Sequence, residues 1–352
     1  MDEVIQKTRN FVAKYQERVF KVLSIKQMKR LILAMMAIIS SLSISAADSY
    51  TVTITYDGSS ATVSIPSAIS SYVSCSSGSS SHVRLIQKST ATSNPGEIIY
   101  QLSGSSSDGE FYMEGEFKAT LLLNGLTLTN PDSTAINILD GKRVKVSLAS
   151  GTENTIADGT KNADSKGCFR CKGHTEFVGK GTLNVKSNFH HAIYSKEYIE
   201  LKNCTINVTG AKKDAIHCKQ YFRMSSGVVN ISQADDDGIQ VELKGDTPTS
   251  GSTSEDEDTG NFYMAGGTLT INGVSGKCIK TDGTITYTGG TQDFDKTNTQ
   301  QHATSGIAPT LQTSDEEETL YDLQGRQLPK GVQPKGIYIV KGKNKTEKRI
   351  SY

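Results

Sequence analysis

Short stretches in which apolar and polar residues alternate return along this chain at a fixed interval. Cys168-Phe169-Arg170-Cys171, Ala192-Ile193-Tyr194-Ser195, Ala215-Ile216-His217-Cys218, Gly238-Ile239-Gln240-Val241 and Cys278-Ile279-Lys280-Thr281 align on one strand. The first three steps are 24, 23 and 23 residues, and the fourth is 40. The long step holds Lys244 to Gly260, 17 residues of polar, Gly/Ser and acidic character, without which it too is 23. A period of this length, made of strands and no helices, predicts a stacked solenoid instead of a single-core globule.

Two further alternating segments fall within each period. Tyr198–Leu201, Tyr221–Met224 and Asn261–Met264 occupy a second position, and Thr182–Val185, Thr205–Val208, Val228–Ile231, Thr268–Ile271 and Thr284–Tyr287 a third. Alternation places Leu183, Ile206, Val229, Leu269 and Ile285 in one inward column. Gly181, Gly227, Gly267 and Gly283 precede the third segment, as a corner with an unusual backbone angle requires. Asn184, Asn207 and Asn230 fall in the outward column, where their amides can bond one another as a ladder. Three short strands per coil of about 23 residues, stacked in register, predict an all-β protein with a parallel β-helix over 118–290 and a loop insert at 244–260. Residues 48–117, which open on the alternating run Tyr50 to Tyr56, are expected to cap the solenoid or to form irregular first coils. The polar segment 291–318 reads as a linker, and 319–352 as a small C-terminal β module.

Residues 28–47 change the picture of where the chain works. Lys29 and Arg30 precede the apolar run Leu31 to Ile44 and the small residues Ser45-Ala46-Ala47, the layout of an export signal. The run is too short for a comfortable membrane span. Cleavage after Ala47 is expected, with Ala46 as the alternative; residues 1–27 then form a long leader or follow an over-called start codon. Removal of 1–47 takes away eight basic and three acidic residues, moving the net charge from +1 to −4. An exported, mildly acidic chain disfavours DNA or RNA as partner. Its six cysteines invite a disulfide reading, which the register opposes. Cys168 shares a column with Cys278 and Cys171 with Cys218, but neither pair lies on adjacent coils, and two rungs span roughly 9–10 Å. Buried hydrophobes are their expected role.

The residues just before each first strand, Gly167, His191, Asp214, Asp237 and Lys277, also form a column. Asp214 and Asp237 are 23 residues apart, so their carboxylates are expected one rung, about 5 Å, from each other. Such a pair repels unless a cation lies between them. With Asp235 and Asp236 beside it, the corner suits Ca²⁺ better than a soft metal, although an Asp-Gly corner can also simply satisfy a turn. The outward positions of the first strand are Asn137, Arg170, Tyr194, His217, Gln240 and Lys280, flanked by Lys172, Lys196, Lys219 and Glu242. Arg170, Tyr194, His217, Gln240, Lys280, Lys196 and Lys219 form a candidate track for an anionic sugar chain, the tyrosine ring offering a stacking face. His190-His191 is not expected to act as a metal pair, because neighbours in an extended chain point to opposite sides.

Two resemblances add to this reading. Gly125-Leu126-Thr127-Leu128-Thr129-Asn130, Ala135-Ile136, the run Gly151-Thr152-Glu153-Asn154-Thr155 and the corners Asp214-Ala215-Ile216 and Asp237-Gly238-Ile239 together resemble a family of secreted carbohydrate-binding β-helix proteins, similar to pectate lyases but non-catalytic. The resemblance covers roughly 48–290. It implies a right-handed parallel β-helix, calcium sites and binding of plant-type or acidic, pectin-like polysaccharide. The segment Tyr321-Asp322-Leu323-Gln324-Gly325-Arg326, with Gly336 to Val340, resembles the sorting tails read by type IX secretion machinery. That implies delivery to the cell surface or beyond, extracellular or periplasmic. The leading expectation is an exported, calcium-dependent carbohydrate-binding protein. One alternative is a polysaccharide lyase in which Lys213, Lys219 or Lys277 abstracts a proton beside calcium. The other is a structural or adhesion protein whose ladders serve stability alone.

Overall fold

The computed structural model describes residues 50–88, 95–115, 117–159, 166–245, 257–301, 319–321, 328, 336–341 and 346–351; the export signal and residues 246–256 of the insert lie outside them. The chain divides into two units, 1–302 and 303–352. The first is a parallel β-helix. Gly167–Cys171, His191–Ser195, Ile216–Lys219, Ile239–Glu242 and Ile279–Thr281 stack in parallel as part of a ten-stranded sheet. Val144–Leu148 through Ile285–Tyr287 form a second stack, and Glu153–Asp158 through Thr291–Asp293 a third. The last two are joined through Ala119–Asn130, whose first half pairs with one stack and second half with the other. The described residues contain one helical turn, Ser67–Ile69, and no helix long and apolar enough to cross a membrane.

The period sets the interior. Leu183, Ile206, Val229 and Leu269 pair rung to rung and are buried, as are Phe169, Ile193, Ile216, Ile239 and Ile279 on the first face. Phe222 and Phe262 stack with ring centroids 5.2 Å apart. Outside, Asn207 Nδ2 donates to Asn184 Oδ1 at 2.8 Å and Asn230 Nδ2 to Asn207 Oδ1 at 2.9 Å. All six cysteines are free.

Three expectations are corrected. Ile285 pairs with Phe262, so Thr284–Tyr287 lies in the second stack, not the third. Gly283 sits against Asn261, whose Oδ1 accepts the N–H of Thr284 at 2.7 Å. The true third-stack corners at Gly227, Gly267 and Gly290 have positive φ (94°, 86° and 82°). A Cβ on Gly267 would lie 2.5 Å from the Gly227 carbonyl oxygen, so that corner admits only glycine. Gly181 has no positive φ; that angle falls on Gly179. Finally, the segment expected to begin a linker at 291 still belongs to the coil: Thr291–Asp293 pairs with Thr268–Thr270, and Thr299–Gln300 with Ile279–Lys280.

Residues before 118 supply parallel rungs as well. Thr51–Asp57 pairs with Ile98–Ser106 and His82–Gln87 with Glu110–Glu114, while Ser60–Ser64 pairs antiparallel with Thr51–Asp57 and Val73–Cys75 antiparallel with His82–Gln87, closing that end. The loop insert leaves the coil through a neck in which Asp258 accepts the N–H groups of Lys244 and Gly245 at 2.7 and 2.9 Å. In the second unit, Thr319–Tyr321, Gly336–Lys341 and Thr346–Ser351 form a three-stranded antiparallel sheet.

If the Leu183 column carries the interior, Ile206→Ala lowers unfolding free energy by about 2–5 kcal/mol, and Asn207→Ala by only about 1–2 kcal/mol. Urea denaturation of the two variants measures this, and a negligible loss for Ile206→Ala would place that column outside the core.

Candidate carbohydrate face and acidic corner

The corner column is built as a staircase in which each side chain receives the backbone N–H of the next rung. Asp214 N–H donates to His191 Nδ1 at 3.2 Å, Asp237 N–H to Asp214 Oδ1 at 3.1 Å, and Lys277 N–H to Asp237 Oδ1 at 2.7 Å. The carboxylates of Asp214, Asp236 and Asp237 place one oxygen each within 4.8 Å of the others. Asp214 and Asp237 are buried and Asp236 is exposed. Burial, and then the charges of Asp214 and Asp237, push the Asp236 carboxyl up. Asp235 does not join them: its carboxylate faces away and pairs with Lys212 at 2.9 Å. Asp237 Oδ2 is buried without a hydrogen bond, with the Lys280 ammonium as an ion-pair partner at 3.1 Å.

The other Asp214 oxygen faces two imidazoles. Oδ2 lies 2.9 Å from His217 Nδ1 and 3.2 Å from His191 Nδ1. A ring nitrogen that accepts the Asp214 N–H cannot also donate, so His191 is neutral, in keeping with burial drawing its pKa down. Burial also works against a charged His217, but Asp214 and Glu242 outweigh it and raise its pKa; Glu242 Oε2 lies 3.5 Å from its Nε2. Burial raises Asp214 in turn, and its contacts with His191 and then His217 overcompensate and hold it well below the usual carboxylate range. Glu242 is lowered to about 2, first by the His217 hydrogen bond, with Lys219 assisting against burial. His190 stands apart, half-buried with its ring edge-on to His191.

The outward column reads Arg84, Tyr112, Asn137, Arg170, Tyr194, His217, Gln240, Lys280 in register. The candidate track splits into two parts. His217 is buried, Gln240 donates to Glu242 at 2.9 Å, Lys219 pairs with Glu242 at 3.3 Å, and Lys280 pairs with Asp237. These four are engaged internally. Tyr194 stacks one ring face on His217 at 5.3 Å and 24°, so that face is not free for a sugar. Arg170 is half-buried and Lys172 and Lys196 are exposed, and among the described residues none of the three has an acidic partner. Of the lysines considered as bases, Lys219 is paired, while exposed Lys213 and half-buried Lys277 have no ion-pair partner among the described residues. The role of Glu242 as partner of His217 and Lys219, and the pairing of His191 with His217 across Asp214, leave no mark in the alternation pattern, although the 23-residue offset from His191 to Asp214 signals their contact.

A family profile described as carbohydrate-binding domain-containing protein matches residues 86–343. A curated protein with the same description, from Acetivibrio thermocellus (strain ATCC 27405), is 30% identical over 104 residues, covering 27% of this chain and 36% of the relative. The chain thus spans about a third of that relative's length. A solved structure described as the polysaccharide lyase-like protein from C. thermocellum, a gadolinium derivative, superposes with a TM-score of 0.50 at 20% identity, over 71% of this chain and 99% of that one. At that identity the likeness shows the fold.

The charges around His217 predict a window of stability. A folded pKa raised above 6.5 for His217 contributes stability below pH 6.5 that is lost as pH climbs through the raised value. Lowered values for Glu242 and Asp214, ordinarily 4.5 and 3.8, contribute above pH 4.5 and are lost as pH falls through them. The cluster's contribution therefore peaks between about pH 4.5 and 6.5. Melting temperature against pH, recorded with a chelator, should fall on both sides for the native chain and less steeply for His217→Gln; identical profiles would remove His217 from this balance.

Proposed function

Because the chain belongs to the family of carbohydrate-binding domain-containing proteins, we propose that it is an exported protein that holds an acidic, pectin-like or plant cell-wall polysaccharide on the first-strand face of its β-helix. The observation that carries the reading is the group Arg170, Lys172 and Lys196. These cations have no acidic partner among the described residues, lie on adjacent rungs, and belong to a chain whose part after residue 47 has a net charge of −4. A local basic track on an acidic protein selects polyanions by position instead of by overall charge. Export and delivery to the surface rest on residues 28–47 and on the sorting-tail resemblance of 319–352, with the secretion machinery as partner.

Calcium belongs to the same proposal. The donors at the acidic corner are oxygens alone, which fits a hard cation; buried Asp237 Oδ2, whose counter-charge is the Lys280 ammonium at 3.1 Å, would exchange that partner for the ion. Asp214, Asp236 and Asp237 are the residues that would hold it. Bound there, the ion would supply positive charge beside the basic track for a uronate carboxylate.

Binding to polygalacturonate with calcium present tests the reading. Arg170→Ala, Lys172→Ala and Lys196→Ala together should weaken binding by about 3–150-fold, at roughly 0.2–1 kcal/mol for each exposed ion pair lost, and flatten its salt dependence. Unchanged affinity would move the ligand off this face, and ultraviolet absorbance from unsaturated products would replace holding by elimination. Calcium should raise the melting temperature of the native chain more than that of Asp236→Asn, while in chelator the variant melts no lower than the native chain, since it loses a carboxylate that Asp214 and Asp237 repel; Asp236 is chosen because it caps no backbone N–H. Equal calcium shifts would reduce the carboxylates to turn residues. N-terminal sequencing of the exported protein should begin at Asp48, and a start within 1–27 would overturn the assigned signal.

A further inference from the structure

The second cluster at this corner has a different chemistry. We infer that His191, Asp214 and His217 form a site for one transition-metal ion of the zinc class, distinct from the proposed calcium donors except that it shares Asp214. Nδ1 of His191, Oδ2 of Asp214 and Nδ1 of His217 lie within 4.8 Å of one another, with contacts of 3.2 and 2.9 Å through the central oxygen. An ion about 2.0–2.2 Å from each ligand holds neighbouring donors about 3–3.5 Å apart, so the side chains need little adjustment to enclose it.

Burial and register make the donor set a preformed one. The three side chains are 8%, 2% and 8% exposed. His191 and Asp214 are successive steps of one column, and His217 follows Asp214 by three residues in the same rung. Two imidazoles and one carboxylate suit zinc-class ions, whereas an all-oxygen set suits calcium. A metal-bound imidazole usually donates its remote N–H to a carboxylate; Glu242 Oε2 stands 3.5 Å from His217 Nε2 for that role. The Tyr194 ring packs against both imidazoles, at 5.8 Å and 18° to His191 and 5.3 Å and 24° to His217, which fixes their planes. Without metal, a proton on His217 and the long Asp214 N–H contact to His191 occupy the same lone pairs. The ion would release that proton to solvent and take the His191 Nδ1 lone pair from the Asp214 N–H, tying two coils together at the cost of that backbone contact.

Cobalt(II) serves as the probe, added to the full chain without a polyhistidine tag and with millimolar calcium already present. One equivalent should bind with visible ligand-field absorption, and zinc should bleach it. His191→Gln and His217→Gln should each lower cobalt affinity by more than about 100-fold, Glu242→Gln by about 10–100-fold, and Asp236→Asn by less than about twofold. If either histidine variant fails to fold, Glu242→Gln and Asp236→Asn still decide the matter. No stoichiometric band in the native chain, an unchanged affinity in the folded histidine or Glu242 variants, or displacement of cobalt by calcium would overturn the site. Loss of sugar binding alone would not, since the metal is read by its own absorption.

Discussion

Backbone pairing between rungs is the constraint from which the rest of this molecule follows. Each strand donates and accepts along parallel ladders about 4.8 Å apart, so a residue's neighbour is the residue one coil later, whatever its chemistry. Inside, that rule repeats Leu183, Ile206, Val229 and Leu269 into a continuous core. Outside, it sets Asn184, Asn207 and Asn230 amide to amide. The rule has no exemption for charge: it stacks Asp237 on Asp214 as readily as Ile239 on Ile216. A parallel β-helix must therefore neutralise its own columns wherever like charges recur.

Along the first face the neutralisation is uneven. From Asp214 to Lys280 every buried carboxylate meets a backbone N–H, an imidazole or an ammonium, and Glu242 gathers His217, Lys219 and Gln240 around itself. The preceding coils carry Arg170, Lys172 and Lys196 with no such counter-charge among the described residues. Internally matched charges stiffen the coil they join, while unmatched ones keep their field for a ligand. One surface thus holds an internally matched half and an unmatched half, and residue type alone does not tell them apart, because Lys219 and Lys196 occupy the same column.

Periodicity made much of this legible. The inward columns, the asparagine ladder and the free cysteines follow from counting 23 residues, since each depends only on who stacks on whom. The final coil escaped because Thr291–Asp293 places Gln292 where earlier coils place Leu269. Gln292 Nε2 bonds the carbonyl oxygens of Gly289 and Gly290 instead of burying an apolar side chain, so the hydrophobic signal fades one turn before the backbone stops pairing. The site was half legible. The column Asp214–Asp237 could be counted, but the turning of His217 inward onto Asp214 depends on a rotamer, and Asp235 turning away to Lys212 does as well. Neither leaves a trace in spacing.

Asp214 draws these threads together. Its Oδ1 secures the next rung through Asp237 N–H, and its Oδ2 faces two imidazoles, so its two oxygens belong to environments of different hardness. The oxygen-only side, with Asp236 and Asp237, favours an ion that tolerates irregular oxygen coordination; the imidazole side favours one that gains from nitrogen ligands. Removing Asp214 would abolish both and also free a backbone N–H, so its substitution cannot separate structure from binding. Asp236 and Glu242 can, because neither caps a backbone N–H of the corner staircase and each serves one side only. The same corner that the register makes obligatory for the fold is thereby left with two chemically independent handles.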